Sequence, residues 1–129
     1  MSAAPLIDEA MIHRLVHTFY ASVRADPVLG PIFNRKVEDW DTHLAKLCDF
    51  WSNVVLKTRR YDGNPMRAHV VLDVGDEHFL RWLDLFRAAA RRECPPEAAA
   101  HFIDFAERIA RSLSMGIDWH RSSMKAARP

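Results

Sequence analysis

The sequence is poor in the residue types that build covalent or strongly charged frameworks. Its 129 residues include two cysteines, Cys48 and Cys94, too few for a disulfide framework and without the spacing of a metal site. We therefore expect both thiols to be reduced. Lys and Arg together number 18 and Asp and Glu 17, so the formal net charge is +1. A chain so close to neutral has no overall field to attract nucleic acid or an anionic membrane.

Long apolar runs and glycine clusters are also missing. The first twenty residues, MSAAPLIDEAMIHRLVHTFY, have neither a basic start nor an unbroken apolar segment. We therefore expect no signal peptide and no transmembrane helix, and a cytoplasmic location. The four glycines are isolated from one another, which excludes a glycine-rich phosphate-binding loop.

Helical periodicity is what the sequence has in place of strand-type alternation. Apolar residues recur at helical spacing in four long segments, at about 8–25 and 39–56, from Asp76 onward, and from Pro95 onward. Asp76 is placed to cap the third segment. With 49% hydrophobic residues, the pattern predicts one all-α domain with its core at about 7–115. Residues 116–129 form a basic, weakly patterned segment that is expected to be a frayed tail.

The first connection contains the sequence DPVLGPIF. Pro27 and Pro31 interrupt the helical pattern, because proline is not tolerated in a helix interior. A second turn, at 62–65, leads into a short helical piece that ends on His69.

Two histidine pairs are candidates for chemistry. His13 and His17 have i, i+4 spacing, but Arg14 stands where a zinc protease helix needs glutamate. We therefore expect this pair to lie at the edge of the core, facing solvent, rather than to bind a metal. His43 shares a helical stripe with large apolar residues, and His69 follows 26 positions later, beyond the turn. Two histidines on opposite walls of an apolar interior suit a flat metallocofactor held between helices.

An ordinary structural role is the alternative for each of these residues. A histidine at the end of a short helix usually interacts with terminal carbonyl groups. Tyr20 and Trp82 lie on apolar faces, where both residue types usually belong to the core. Periodicity alone therefore indicates a helical domain without deciding whether it contains a buried site.

Four segments, in order, resemble the truncated haemoglobins, and within them the third group. They are FYASVRADPVLGPIFN, HLAKLCDFW, YDGNPMRAH and FLRWLDLF, and the likeness runs from about residue 7 to residue 113. The first two groups carry glycine pairs near their short loops, whereas this sequence has no Gly-Gly and has histidine at the distal position. The resemblance implies a two-over-two helical sandwich around haem.

The resemblance also implies a role for individual residues. His69 becomes the proximal ligand of the haem iron, and Tyr20, His43 and Trp82 become the polar residues on the distal side. The pocket wall is expected to consist of Phe33, Leu47, Phe50, Met66, Phe79 and Phe86. Donors to the haem propionates are expected to be Lys46, Tyr61 and Arg67. The sequence has no Cys-x-x-Cys-His motif, so haem b is expected to bind non-covalently.

The implied activity is reversible binding of oxygen, CO or NO at a five-coordinate iron. Donors from Tyr20 and Trp82 slow oxygen release, which favours NO dioxygenation or peroxide reduction over oxygen transport. No flavin or nicotinamide motif is present, so turnover needs an external reductase. We expect a monomer with no nucleic-acid or membrane partner. His43 has three alternatives: donation to the ligand, gating of ligand access, or ligation of the iron.

Two other classes of function remain open at this point. A haem-based sensor or haem-trafficking module would act through a separate partner, because the sequence contains no output domain. A helical interaction domain without a cofactor is the simplest alternative. An absorption spectrum of the purified protein separates these possibilities, because a domain without a cofactor shows no haem band, whereas a haem enzyme, a sensor and a trafficking module all show one.

Overall fold

The computed structural model describes residues 6–60 and 75–126, with side chains described as far as residue 115. This part of the chain is helical and contains no strand, so the predicted all-α class is confirmed. The helices are α1 (Glu9–Ala25), α2 (Leu29–Lys36), α3 (Trp40–Leu56), α4 (Asp76–Glu93) and α5 (Pro96–Ala126).

Carboxylate caps begin the first and third helices. The Asp8 side chain accepts the Met11 backbone N–H at 2.9 Å, and the Asp39 side chain accepts the Thr42 N–H at 3.3 Å. These bonds satisfy N–H groups that have no partner inside the helix. Both starts fall within a residue of the predicted ones. Helix α3 ends at Lys57, which adopts a left-handed conformation with φ of 60°.

Helix α2 was not predicted, because Pro31 was treated as a helix breaker. In the structure Pro31 is the third residue of α2. Backbone N–H groups in a first helical turn have no intrahelical acceptor, so a proline costs little there. The interruption of the helical pattern is therefore confined to the corner between α1 and α2.

The ends of the last two helices also differ from the sequence prediction. Gly75 rather than Asp76 is the N-cap of α4, and the Asp76 carboxylate instead accepts the Ser114 hydroxyl at 2.6 Å. Helix α5 continues to Ala126, beyond residue 115, so a helical backbone extends into the segment for which fraying was predicted. A single interior glycine, Gly116, costs a helix only about 1 kcal/mol, which is too little to end α5.

Helix α1 is the centre of the packing. It contacts α2, α3 and α4, and α4 packs along α5. Ile12, Phe19 and Val23 on α1 are completely buried. An aromatic cluster joins three helices next to this face. The Phe86 ring of α4 stacks on Trp51 of α3 at 5.1 Å and meets the Phe19 ring edge-on at 5.0 Å.

Candidate functional site

A buried tyrosine hydroxyl is the polar centre of the site. Tyr20 of α1 is 4% exposed, and the indole of Trp82 on α4 lies beside its hydroxyl, where the only polar group that it can offer is an N–H donor. Burial raises the pKa of Tyr20 to about 12, and the hydrogen bond from Trp82 only partly opposes that rise. The phenol is therefore neutral at physiological pH and keeps its O–H proton.

The neighbouring Phe19 explains why Trp82 lies beside Tyr20. The Phe19 ring meets the Trp82 ring edge-on at 5.2 Å, and Trp82 stacks on Phe86 at 5.6 Å. Edge-to-face and offset-stacked rings add a preferred geometry to the hydrophobic gain of burial. The indole of Trp82 is thus held between two buried rings while its N–H reaches the tyrosine oxygen.

His43 forms the second polar side of the site. It lies in the first turn of α3, half-buried, with its ring perpendicular to that of Tyr20 at a centroid distance of 6.4 Å. The Trp40 ring lies 5.6 Å from the His43 ring and 6.2 Å from the Tyr20 ring, so the three rings form one cluster. The Trp40 indole N–H donates to the Asn34 side chain at 3.1 Å. The Arg24 guanidinium lies 4.6 Å from the centre of the Trp40 ring. The structure therefore brings all three predicted distal residues together.

Apolar side chains that are only partly buried make up most of the predicted wall, and one of them, Phe33, meets the Tyr20 ring at a centroid distance of 6.1 Å. They pack against the core but keep accessible surface, as expected of a wall against which an apolar cofactor would lie. The predicted wall residues of this kind are Phe33, Leu47, Phe50 and Phe79. Phe86 lies one layer deeper: it is 1% exposed and supports Trp82 from behind. Half-buried apolar surface beside a few convergent polar groups fits a flat, largely apolar group such as haem.

The remaining predicted residues divide into two sets. Lys46 is exposed on α3, as a donor at a pocket rim must be. Four others lie outside the described residues, so their roles stay predictions: Tyr61, Met66, Arg67 and His69.

The His13–His17 pair is a stacked surface pair. The rings lie 3.9 Å apart, and Nδ1 of His17 is 2.8 Å from the His13 carbonyl oxygen. Within the part of the chain whose side chains are described, no three His, Cys, Asp or Glu residues are grouped to hold a metal ion.

Sequence reasoning missed two polar contacts between helices. Ser52 is completely buried and donates to Glu9 at 2.6 Å, which ties α3 to the start of α1. Arg81 of α4 donates to Asp26, at the end of α1, also at 2.6 Å. The sequence does indicate that Asp26 caps a helix, because it precedes Pro27 and α2 as an N-terminal capping residue does. It does not indicate either pairing, since 43 and 55 positions separate the partners.

Comparison with known proteins identifies the family. The family model described as bacterial-like globin matches residues 7–114. The chain belongs to this globin family. The match covers every helix that contributes to the site.

Particular relatives agree with this assignment. A group 3 truncated haemoglobin of Campylobacter jejuni is 38% identical over 85 residues, which are 62% of this globin and 67% of the relative. The crystal structure of a group III truncated haemoglobin from the same species superposes with a TM-score of 0.83 at 32% identity, over 87% of this globin and 92% of that chain. A thermostable haemoglobin of Thermobifida fusca gives 0.72 at 28% identity, over 82% and 89%.

The family establishes the general activity. The predicted resemblance to third-group truncated haemoglobins is confirmed, and so is the truncated globin fold. Globins bind haem and use it to bind small diatomic ligands such as O2. The described helices of this globin include none with the length and apolarity that crossing a membrane would need.

Proposed function

We propose that this globin holds haem b non-covalently against the wall of α2, α3 and α4, with His69 as the only protein ligand of a five-coordinate iron. Tyr20, His43 and Trp82 then face the ligand side. The convergence of these three side chains beside partly buried apolar surface carries the proposal. Bound haem supplies an iron that binds O2, CO or NO and exchanges electrons with them.

Tyr20 is the direct hydrogen-bond donor in this proposal. An indole has a single N–H and no acceptor, so Trp82 cannot give the same proton to Tyr20 and to a ligand. The tyrosine accepts that proton and keeps its own O–H to donate. A chain of hydrogen bonds strengthens each member, so Trp82 acts through Tyr20 by polarising its hydroxyl. Both residues were expected to donate directly, and the position of the Trp82 indole beside the tyrosine hydroxyl supports this relay instead.

A strong hydrogen-bond donor beside the ligand favours a reaction of the bound ligand over oxygen transport. A hydrogen bond to a charged or strongly polarised acceptor contributes about 1.5–3 kcal/mol, and each ~1.4 kcal/mol is a factor of ten in an equilibrium constant. Ligands that accept charge density from iron are therefore released slowly. Slow release suits NO dioxygenation or peroxide reduction better than oxygen transport.

NO dioxygenation requires an outside source of electrons. Joining NO and O2 into nitrate consumes one electron per turnover, since NO and O2 together contain the atoms of neutral NO3. We propose that a separate reductase supplies this electron to a monomeric, cytoplasmic globin. The alternative, a haem-based sensor or trafficking module, needs a ligand-dependent partner and no turnover.

Haem binding and its axial ligand are tested together. Purified protein reconstituted with haem should show an intense Soret band, and His69→Ala should lose most of the haem. The matched control is His43→Ala, which removes the same side chain from the opposite face and should retain haem. If His69→Ala retains haem and His43→Ala loses it, the proximal and distal sides of the site have been assigned the wrong way round.

The reaction is tested by mixing oxygenated protein with NO and measuring nitrate. Stoichiometric nitrate, abolished when oxygen is replaced by CO, supports dioxygenation. Nitrate formation no faster than in free solution would reject dioxygenation and leave peroxide reduction and the sensor or trafficking module as the remaining haem-dependent functions.

A further inference from the structure

Asp26 combines two tasks at the corner between α1 and α2. Its carboxylate accepts the backbone N–H groups of Val28 and Leu29 at 3.0 and 2.9 Å, which stabilises the start of α2. The same oxygen, Oδ2, accepts Nε–H of Arg81 at 2.6 Å. The Asp26 side chain is 7% exposed and that of Arg81 41% exposed. A carboxylate removed from water to this degree needs its partners, so the contact is more than a loose surface pair.

This ion pair lies close to the hydrogen bond that organises the site. Arg81 directly precedes Trp82 on α4. Asp26 directly follows the last residue of α1 and comes six residues after Tyr20, or about 9 Å along a helix axis. The Asp26–Arg81 pair and the Tyr20–Trp82 hydrogen bond are thus neighbouring bridges between the same two helices.

Three contacts restrain Trp82, and they act in different ways. Phe19 and Phe86 hold the indole ring by apolar packing at 5.2 and 5.6 Å. Such contacts favour an orientation of the rings but tolerate small sliding movements. The ion pair is directional and acts on the adjacent backbone, so it sets where α4 lies along α1. A shift of well under 1 Å separates a good N–H···O bond from none, because N···O distances beyond about 3.5 Å no longer count as hydrogen bonds.

We propose that Asp26 and Arg81 are positioning residues that hold the Trp82 indole N–H on the Tyr20 hydroxyl and so set how tightly the site retains its ligand. The effect on ligand retention rests on the proposed function. The positioning of Trp82 concerns only the contacts between α1 and α4. Neither Asp26 nor Arg81 touches the ligand in this arrangement.

Asp26→Asn separates the two tasks of Asp26. Asparagine caps a helix about as well as aspartate does, so its amide oxygen can still accept the Val28 and Leu29 N–H groups. The charge that attracts Arg81 is gone. Arg81→Met removes the other partner and leaves the cap untouched, while Arg81→Lys restores the charge without the Nε–H.

The direct readout is the indole N–H resonance of Trp82 in the haem-loaded, CO-bound protein. The chain has four tryptophans, and Trp82→Phe assigns the signal. In Asp26→Asn and Arg81→Met we expect this resonance to move and its exchange with D2O to accelerate. Oxygen dissociation should accelerate about three- to tenfold, as for partial loss of one hydrogen bond to a polarised acceptor. Arg81→Lys should recover part of both effects.

Arg87→Met is the matched control. Arg87 lies on the same helix, its side chain is 30% exposed, and it pairs with Asp84 and with Glu107 on α5, away from α1. It should leave the Trp82 resonance and the dissociation rate unchanged. Equal effects of Arg87→Met and Arg81→Met would overturn the inference, because any lost ion pair on α4 would then suffice.

An unmoved Trp82 resonance in both Asp26→Asn and Arg81→Met would also overturn it, even with a lowered melting temperature, because the pair would then only stabilise the fold. A different result would contradict the proposed function. If Tyr20→Phe leaves oxygen dissociation unchanged while the Trp82 resonance moves in Asp26→Asn, the positioning role stands and the tyrosine is not the donor.

Discussion

Tyr20 combines burial with a retained proton. Its pKa is raised from 10.0 to about 12 because burial penalises the phenolate. In the folded state the phenol stays neutral below pH 12, whereas in an unfolded chain it begins to ionise near pH 10. The stabilisation that comes from this neutral form is therefore complete below pH 10 and is lost as the pH rises from 10 to 12. Throughout the physiological range the hydroxyl is a donor.

Tyr20→Phe should accelerate oxygen dissociation from the haem-loaded protein by about tenfold or more, because a donor worth about 1.5–3 kcal/mol is removed. Trp82→Phe should have a smaller effect, since Trp82 acts through the tyrosine oxygen. Stopped-flow displacement of oxygen by CO measures both rates. In the unaltered protein the rate should be constant from pH 7 to pH 10. A step between pH 5 and 8, where histidines ordinarily titrate, would point to His43 as the donor instead.

At the scale of elements, the corner between α1 and α2 depends on a close backbone approach. A Cβ atom added at Gly30 would lie 2.5 Å from the Arg24 carbonyl oxygen. The obstructing atom belongs to backbone, which cannot turn aside as a side chain can. Glycine at position 30 lets α2 fold back against the end of α1, so that Phe33 reaches Tyr20 with ring centroids 6.1 Å apart.

Gly30→Ala should destabilise the protein by about 1–3 kcal/mol, the usual cost of inserting a methyl group where there is no room. Urea unfolding followed by circular dichroism gives the free-energy change. Gly75→Ala is the control: a Cβ there meets only the flexible Glu77 carboxylate, at 2.9 Å. A larger loss for Gly75→Ala than for Gly30→Ala would show that the corner tolerates a shift of α2.

The molecule as a whole packs most tightly around α1 and less completely at the edge where the site lies. Residues of α1 such as Ile12 and Phe19 are completely buried, whereas Leu47, Phe50 and Phe79 keep accessible surface. A group that covers such surface in the native state, and does not bind the unfolded chain, stabilises the fold in proportion to the logarithm of its concentration over Kd.

Haem should therefore raise the urea midpoint of the unaltered protein well above that of the haem-free protein. At a thousandfold excess over Kd the increase in unfolding free energy is about 4 kcal/mol. His69→Ala should lose most of this increment while its haem-free stability changes little. An increment that survives in His69→Ala would mean that apolar contacts, rather than the iron ligand, dominate haem affinity.

Local signals account for what the sequence predicted correctly. Asp8 and Asp39 mark helix starts because a carboxylate satisfies free N–H groups only a few residues away. Helix α2 was missed because the rule against proline was applied to Pro31 without regard to its position in the first turn. Helix α5 runs past residue 115, where the basic and weakly patterned sequence predicted fraying, because adding residues to an existing helix costs far less than starting a new one.

The sequence by itself determined the all-α class, the long helical segments and the residue types available to a haem site, since these depend on periodicity and on groups close together in the chain. Tertiary structure alone decided that the Trp82 indole lies beside the Tyr20 hydroxyl, that the His43 ring meets the Tyr20 ring, and that Arg81 meets Asp26. The reason is physical: a hydrogen bond changes from strong to absent within a fraction of an ångström. Only the packing of α1 against α3 and α4 sets distances on that scale between residues that are 23 to 62 positions apart in the chain.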